Sequence, residues 1–530
     1  MTILAYSVLA IYTVALLYIT VYCVMQFNLL YYYKKSQRQQ NPLATANAEA
    51  QEQQNEQLSV LTTPTTATQM DAEGVLVAEA LAHEEYPFVT VQLPIFNEKY
   101  VVERLIDNIT QFDYPRDRFE IHILDDSNDE TIDITKQKVE EYKAKGYNIE
   151  QITRVDRKGY KAGALKDGTK FAKGEFIAIF DADFLPRPNF LLNTIPFFDD
   201  PTVGVVQTRW EHINEDYSLI TKLQALQLNV HFTVEQRGRM AGDYLLQFNG
   251  TAGVWRRQTI EEAGGWEADT LTEDLDLSIR AQLKGWKIKY LEEIGSPAEL
   301  PVEMNSLKSQ QFRWMKGGAE TAKKMLPTVW QSNLSLNQKI HATSHLLAST
   351  VFVFVFIVGV FSVPLLFLLG DLIEMGFSKN FFAIFLSGLL SIIGIYYVAN
   401  VQSPVHKHED LTRSIYKFLF LFPLFLALSM GLSLHNSVAV IQGYRGKKSP
   451  FVRTPKFNIR NIKDKFMKNK YLSRKITWTT IFEGLLALYF LGGVLGALYI
   501  QNTTFIVFHL LLALGYGAIF YYTLRHLTIK

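Results

Sequence analysis

The chain has 530 residues, 53 Lys+Arg against 52 Asp+Glu for a net charge of +1, and one cysteine, Cys23. So balanced a charge gives no basic field for a nucleic-acid partner, and a lone cysteine excludes an intramolecular disulfide framework and a Cys-based zinc cluster. A mean hydropathy of +0.03 hides a split: charged residues crowd the middle of the chain, apolar runs both ends.

Residues 3–33 are mostly apolar and almost uncharged, long enough for a bilayer-spanning helix of roughly 20 residues. No basic stretch precedes the run and no small-residue cleavage site follows it, so segment 1–33 is expected to be a membrane helix, not a cleaved signal peptide. Lys34, Lys35 and Arg38 follow at once, which puts that end in the cytoplasm. Segment 34–85, rich in Gln, Thr, Ala and Asn with no hydrophobic period, is expected to be a flexible polar linker.

Over 86–327, short apolar runs alternate with amphipathic ones: strands at 88–93, 119–124 and 176–180, helices at 99–111, 130–144 and 162–172. Such alternation predicts a mostly parallel sheet covered by helices on both faces. Ligands of such sheets bind beyond the carboxyl ends of the strands. Asn97-Glu98, Asp125-Asp126-Ser127 and Asp181-Ala182-Asp183 stand directly after the three strands. Carboxylates two apart at a strand end can point the same way. Mg²⁺ or Mn²⁺ takes such oxygen ligands together with substrate phosphates. One acidic pair after a strand is commonly a helix or turn cap; two pairs at strand ends of one sheet favour a site. The basic turn Arg157-Lys158-Gly159-Tyr160-Lys161 lies between them, and Lys161 there can meet a phosphate at a helix start.

Thr272-Glu273-Asp274 opens a helix predicted to stop at Gly285. Thr270 and Glu273 have capping-box spacing; the alternative is that Asp274 is a general base, its ionised form favoured by the helix N-terminus. Upstream, 248–256 includes Asn249-Gly250 and Trp255, with Trp266 beyond: small residues beside aromatics that can shape a sugar-stacking groove, or a tight turn beside core tryptophans. Gln310, Arg313 and Trp314 follow in a helix-like segment. Arg313 can hold a diphosphate bidentately and Trp314 can stack on a sugar, although both residue types also anchor membrane interfaces.

Apolar runs near 343–370, 380–400, 415–440, 478–500 and 503–523 complete the pattern. Segment 445–475 carries twelve Lys/Arg and one acid, Asp464, and is expected on the cytoplasmic side. A full crossing by 415–440 would put it outside, so 415–440 reads as an interfacial or re-entrant helix, with a sixth true span as the alternative. The resulting divisions are 328–444 for membrane and interfacial helices, 445–475 for a basic cytosolic loop and 476–530 for a membrane hairpin.

Asp125-Asp126-Ser127, Asp181-Ala182-Asp183, Thr272-Glu273-Asp274 and Gln310-x-x-Arg313-Trp314, in this order and flanked by membrane helices, resemble the D, DxD, TED and QxxRW set of membrane-embedded family 2 glycosyltransferases, the cellulose-synthase superfamily. Segments 91–98, 159–166, 232–236 and 248–256 resemble the cellulose-synthase-like A and C branches, makers of β-1,4-mannan or glucomannan from GDP-mannose and of β-1,4-glucan from UDP-glucose. Phe451-Val452-Arg453-Thr454-Pro455-Lys456 resembles the FxVTxK gating loop, with Val452 and Arg453 where x and Val are expected.

The resemblance implies an α/β GT-A (Rossmann-like) cytosolic domain with a helical multi-pass membrane region, and an inverting, processive transferase that elongates and exports a β-linked polysaccharide. Asp274 would be the base. Glu98, Asp125 or Asp126, Lys161, Asp181, Gln310 and Arg313 would bind the donor, with Asp181 and Asp183 holding Mg²⁺ or Mn²⁺. Trp314, Glu273, Asn249 and Gly250 would meet the acceptor, and Phe451, Thr454 and Lys456 would belong to the gating-like loop. The implied partners are a nucleotide sugar, a growing β-glycan and membrane lipids. The implied location is a bacterial plasma membrane, or a Golgi membrane in a eukaryote, with no C-terminal cyclic-di-GMP-binding domain expected. A lipid glycosyltransferase is one alternative. A non-catalytic membrane scaffold is another, and intact Asp181, Asp183, Asp274 and Arg313 weigh against it.

Overall fold

The computed structural model describes residues 2–40, 86–378, 381–403, 410–449, 453–459, 464 and 476–528. Most of the expected linker (41–85), Phe451 and most of the basic loop lie outside the described residues.

Seven strands build one sheet: β1 (Val89–Ile95), β2 (Phe119–Asp125), β3 (Ile149–Thr153), β4 (Phe176–Ile179), β5 (Val203–His212), β6 (Gly253–Arg256) and β7 (Lys287–Ala298). Their order is β3-β2-β1-β4-β6-β5-β7. All pairs are parallel except those of β6, which runs antiparallel to β4 and β5. The helices of eight residues or more are α1 (Thr2–Gln40), α2 (Val102–Ile109), α3 (Thr131–Ala144), α4 (Tyr160–Phe171), α5 (Leu219–Val230), α6 (Glu273–Leu283), α7 (Met304–Gln331), α8 (Leu336–Leu346), α9 (Val351–Glu374), α10 (Leu386–Val401), α11 (Leu411–Gly431), α12 (Ser433–Tyr444), α13 (Trp478–Tyr499) and α14 (Ile506–Thr528).

Strand β4, Phe-Ile-Ala-Ile, reads as an unbroken apolar run because both faces are covered, whereas β1 and β2 interleave buried polar residues, Thr90, Gln92, Glu120 and His122. Side chains of a strand alternate between faces. Phe176, Ala178 and Phe180 therefore join one core with Leu105 and Ile106 of α2 and Val139 of α3. Ile177 and Ile179 join the opposite core with Leu165 of α4 and Leu277 of α6. Each fully buried Leu, Ile or Phe contributes about 1.5–3 kcal/mol, so these two layers outweigh any single surface ion pair in holding the sheet. This is the α/β domain, a mostly parallel sheet covered by helices on both faces, that the alternation predicts.

Two expected boundaries shift, and one expected cap is absent. Helix α1 runs seven residues past 33, because Lys34–Gln40 is made of good helix formers. Helix α7 continues through Pro327 to Gln331; Pro327 stands in its last turns, so a domain limit there would cut a helix. The capping box does not form: the N-cap of α6 is Thr272, without a side-chain cap bond.

Helices α1, α9, α11, α13 and α14 contain segments long and apolar enough to cross a membrane, and α10 is a shorter apolar helix. Helix α11 touches the sheet domain near both of its ends. Lys417, near its start, pairs with Glu215 at 3.1 Å, and Leu432, just past its end, packs with Ile220, Met304 and Leu307. Between them, Phe418, Leu421, Phe422 and Phe425 cover Leu223 and Leu226 of α5. Helix α11 thus packs on α5 of the sheet domain and also along α14, where Ala427 and Gly431 meet Gly515.

Candidate active site

The C-terminal ends of β1, β2, β4, β5 and β7, the turn before β6 and the start of α6 all reach the same edge of the sheet. There they enclose a cleft of about 190 Å³. It is lined by Glu98, Asp126, Lys161, Asp181, Asp183, Asn249, Gly250, Glu273, Asp274, Gln310, Arg313, Trp314, Thr454 and Lys456. The structure thus gathers residues that lie up to 358 positions apart in the chain. Phe451 falls outside the described residues. Asp125 is not in the cleft: its carboxylate accepts from Ser127 N and Gln151 Nε2, both at 2.9 Å, beneath the strand end. Of the two acids after β2, Asp126 is the one at the surface of the cleft, held by Arg154 at 2.9 and 2.5 Å.

Asp181 follows β4 directly, its backbone N–H donating to Thr251 Oγ1 at 2.9 Å. Its carboxylate pairs with Lys161 Nζ, which also donates to Gly250 O at 2.8 Å. Burial works against the charge of Lys161, but Asp181, Glu273 and Asp274 around it raise its pKa. Asp183 pairs with Lys456 at 2.5 Å. Glu98 is clamped by the guanidinium of Arg453, whose Nε lies 2.6 Å from Oε1. Burial nevertheless pushes the Glu98 carboxyl up to about 7, with Arg453 pulling the other way. Arg313 donates to Thr454 Oγ1 at 2.8 Å.

Asp274 stands in the first turn of α6, accepting from Leu275 N at 2.8 Å. Burial, reinforced by the neighbouring Glu273 carboxylate, pushes it up to about 7. A group with that pKa can take a proton near neutrality and release it again. Gly250 faces it with φ +76°, and a Cβ there would stand 3.0 Å from Asp274 Oδ2. Glycine is thus required twice, for the left-handed backbone and for the approach to the base. The sugar-stacking reading of the nearby tryptophans gives way to the tight-turn reading: Trp255 and Trp266 are fully buried in the core.

A second cavity, about 610 Å³ and mostly apolar, adjoins the cleft and shares Trp210, Leu228, Asn249, Thr272, Asp274 and Trp314 with it. It continues between membrane helices, past Ile19 of α1, Val355 of α9, Leu389 of α10 and Ser429 of α11.

Asp181 and Asp183 offer hard oxygen donors, and each is now neutralised by a lysine amine; that donor set suits Mg²⁺ or Mn²⁺. A separate three-carboxylate group, Glu267, Asp269 and Asp276, is already filled by Lys324 Nζ at 2.6, 2.9 and 3.0 Å. Four residues at the site had no assigned role from the sequence. Arg453 looked like a departure from a loop pattern. Trp210 and Glu299 belong to β5 and the end of β7, strands without a clean apolar period. His231 carries no motif, only a place beside 232–236.

Residues 87–317 match the family model described as glycosyltransferase like family 2. A probable glucomannan 4-beta-mannosyltransferase 7 of Oryza sativa subsp. japonica is 44% identical over 263 residues, covering 48% of this chain and 45% of its own length. Glucomannan 4-beta-mannosyltransferase 9 of Arabidopsis thaliana is 42% identical over 267 residues, covering 49% of this chain and 50% of its own. The chain thus spans no more than half the length of these relatives. Among solved structures, the mannosyltransferase PcManGT from Pyrobaculum calidifontis, in complex with GDP-Man and Mn²⁺, aligns with 82% of this chain and 100% of its own at 17% identity and a TM-score of 0.47.

Proposed function

We propose that this chain, whose residues 87–317 form a family 2 glycosyltransferase domain, transfers mannose from GDP-mannose to a growing β-1,4-linked glycan at the inner face of a membrane. The observation that carries the reading is the position of Asp274. It stands where the charged cleft meets the cavity between the membrane helices. The identity to glucomannan 4-beta-mannosyltransferases supports mannose as the sugar.

In this reading the donor's diphosphate lies against Lys161 and Arg313, and Glu98 and Asp126 meet its nucleotide. Asp181 and Asp183 would hold a divalent cation, which neutralises the departing diphosphate. The terminal sugar of the acceptor stacks near Trp314 with one hydroxyl at Asp274. The carboxylate takes that proton as the oxygen bonds to the anomeric carbon, and the bond to the diphosphate breaks with its electron pair leaving on the phosphate oxygen. Attack opposite the leaving group converts an α-linked donor into a β-linkage. The lengthened chain then moves into the membrane cavity. The apolar lining of that cavity also favours a second reading, a lipid-linked acceptor.

The test is donor-dependent synthesis by the full chain in lipid nanodiscs with Mn²⁺ and labelled GDP-mannose, UDP-glucose or UDP-N-acetylglucosamine. Insoluble label from GDP-mannose that β-mannanase removes is the expected result. Label confined to a lipid extract selects the second reading. Asp274→Asn is expected to lower transfer by about 10²–10⁴-fold, the usual worth of a general base; undiminished transfer in that variant overturns the assignment.

A further inference from the structure

After α5, residues His231–Glu235 form a single π-helical turn. Such turns are rare and recur at functional sites. This one sets His231 Nδ1 2.9 Å from Glu235 Oε2, and Arg239 Nη2 reaches the same carboxylate oxygen at 3.4 Å. Burial alone would raise the Glu235 pKa, but Arg239 and His231 outweigh it and hold the group down to about 2. Facing a carboxylate oxygen, which accepts, His231 Nδ1 is placed to donate to Glu235.

The other ring nitrogen, Nε2, lies 2.8 Å from Asn249 Oδ1. Asn249 is the residue next to Gly250, and it lines both the cleft and the membrane cavity. Its backbone N–H is held by Gln207 Oε1 at 2.8 Å. Its side-chain Nδ2 is buried and has no hydrogen-bond partner among the described residues. A buried amide left unpaired costs about 1–3 kcal/mol, which a sugar hydroxyl in the cavity would recover. This chain, Arg239–Glu235–His231–Asn249, ends beside Asp274. Either amide atom can face Nε2, so which one stays open follows the ring tautomer and the amide's orientation. In each case one amide atom is locked by His231 and the other is open.

We propose that His231 is a positioning residue for the acceptor: it locks the side-chain amide of Asn249 so that its open atom meets a hydroxyl of the sugar presented to Asp274. The inference rests on the acceptor-side reading of Asp274 above. A residue that orients the acceptor alone separates elongation from donor chemistry, because the donor contacts Lys161, Arg313 and Asp181 stay intact.

The experiment uses the full chain in nanodiscs with GDP-[14C]mannose and a β-1,4-linked mannohexaose. It measures transfer, GDP released by hydrolysis and the Kd for GDP. His231→Ala is expected to lower transfer about ten- to a hundred-fold, as loss of orientation does. It leaves the GDP Kd within about two-fold and raises the share of GDP released without transfer. Asn249→Ala is expected to behave alike, and the double variant to be no worse than the poorer single one, since both remove one interaction. His231→Gln keeps an N–H near the Nε2 position and restores most transfer. Transfer by His231→Ala equal to wild type, additive losses in the double variant, or a GDP Kd that weakens in step with transfer would each overturn the inference. A wild type that transfers no sugar from any donor overturns the functional reading itself.

Discussion

Asp274 carries the chemistry only if its environment suits a proton acceptor. A carboxyl in water near pH 7 is almost wholly ionised but a poor base. Burial and the adjacent Glu273 push Asp274 up to about 7, so the carboxylate form is lost as pH falls through that value. Activity is therefore expected to rise with pH through about 7, with an acid limb in kcat/KM set by this group. The sign follows from the role: a base must be unprotonated, so the raised pKa removes activity on the acid side. A pH profile with no limb between 5.5 and 8.5, roughly the window in which a group of that pKa titrates, would show that Asp274 does not limit the reaction. The acids themselves were legible in the sequence because each follows an apolar strand or opens a helix. Which of Asp125 and Asp126 reaches the cleft was not. That choice depends on Gln151 of the neighbouring β3, a pairing that no local pattern announces. His231 was hidden for the same reason: its partner Asn249 is brought to it by the turn before β6.

Among the elements, the segment 453–459 sits inside the site. Arg453 holds Glu98, Thr454 takes Arg313, Lys456 holds Asp183, and Phe457 N donates to Glu299 Oε1 at 2.8 Å. Asn458 accepts from Arg104, itself paired with Glu299 at 2.9 Å. If Asp183 holds the divalent cation as proposed, the Lys456 amine and that cation compete for one carboxylate. Lys456→Ala is expected to strengthen Mn²⁺ binding in the presence of GDP several-fold, about the worth of a charge-assisted contact. It is also expected to lower transfer, since the amine would meet the diphosphate once the donor is bound. Titration of Mn²⁺ by calorimetry checks the first part; unchanged Mn²⁺ affinity would mean that Lys456 and the metal do not compete. Of the strands that were legible, β4 is an unbroken apolar run, and β1 and β2 place Val, Ile, Leu or Phe at alternate positions. Strand β7 was not: it contains Glu292, Glu293, Gly295 and Pro297, and its pairing with β5 slips in register between Thr208 and Arg209. Its residues are settled by neighbours, not by their own period. Helix α1 shows the converse, a helix prolonged by propensity beyond the apolar run that identified it.

For the whole molecule, the orientation in the membrane turns on α11. Hydropathy and length alone make it a candidate span. We propose instead that it is an interfacial or re-entrant helix, a reading that contacts near both ends favour, Lys417 with Glu215 and Leu432 with Ile220 and Met304. Lys448 would then share the side of the sheet domain, opposite Glu374 at the end of α9. Because Cys23 is the lone cysteine, a Cys23→Ser background allows single cysteines at Lys448→Cys and Glu374→Cys. An impermeant maleimide added outside intact cells is expected to label the second and spare the first; labelling of both would make α11 a true crossing. The remaining question is what the 610 Å³ cavity is for. If it conducts the product, filling it far from Asp274 must stop long chains and spare the chemistry. Ser429 on α11 lines the cavity and does not line the cleft. Ser429→Trp adds bulk there at a packing cost of about 1–3 kcal/mol, so thermal unfolding of the variant must be followed alongside. Insoluble polymer is expected to fall about ten-fold, while addition of one or two sugars to a soluble oligosaccharide stays within about two-fold of wild type, because the blocked volume lies downstream of bond formation. A chain that must leave through a filled passage stalls after a few additions; a chain released directly from the cleft does not. Equal loss of both products would tie Ser429 to the cleft's own geometry, and equal retention would mean that the glycan never enters the cavity.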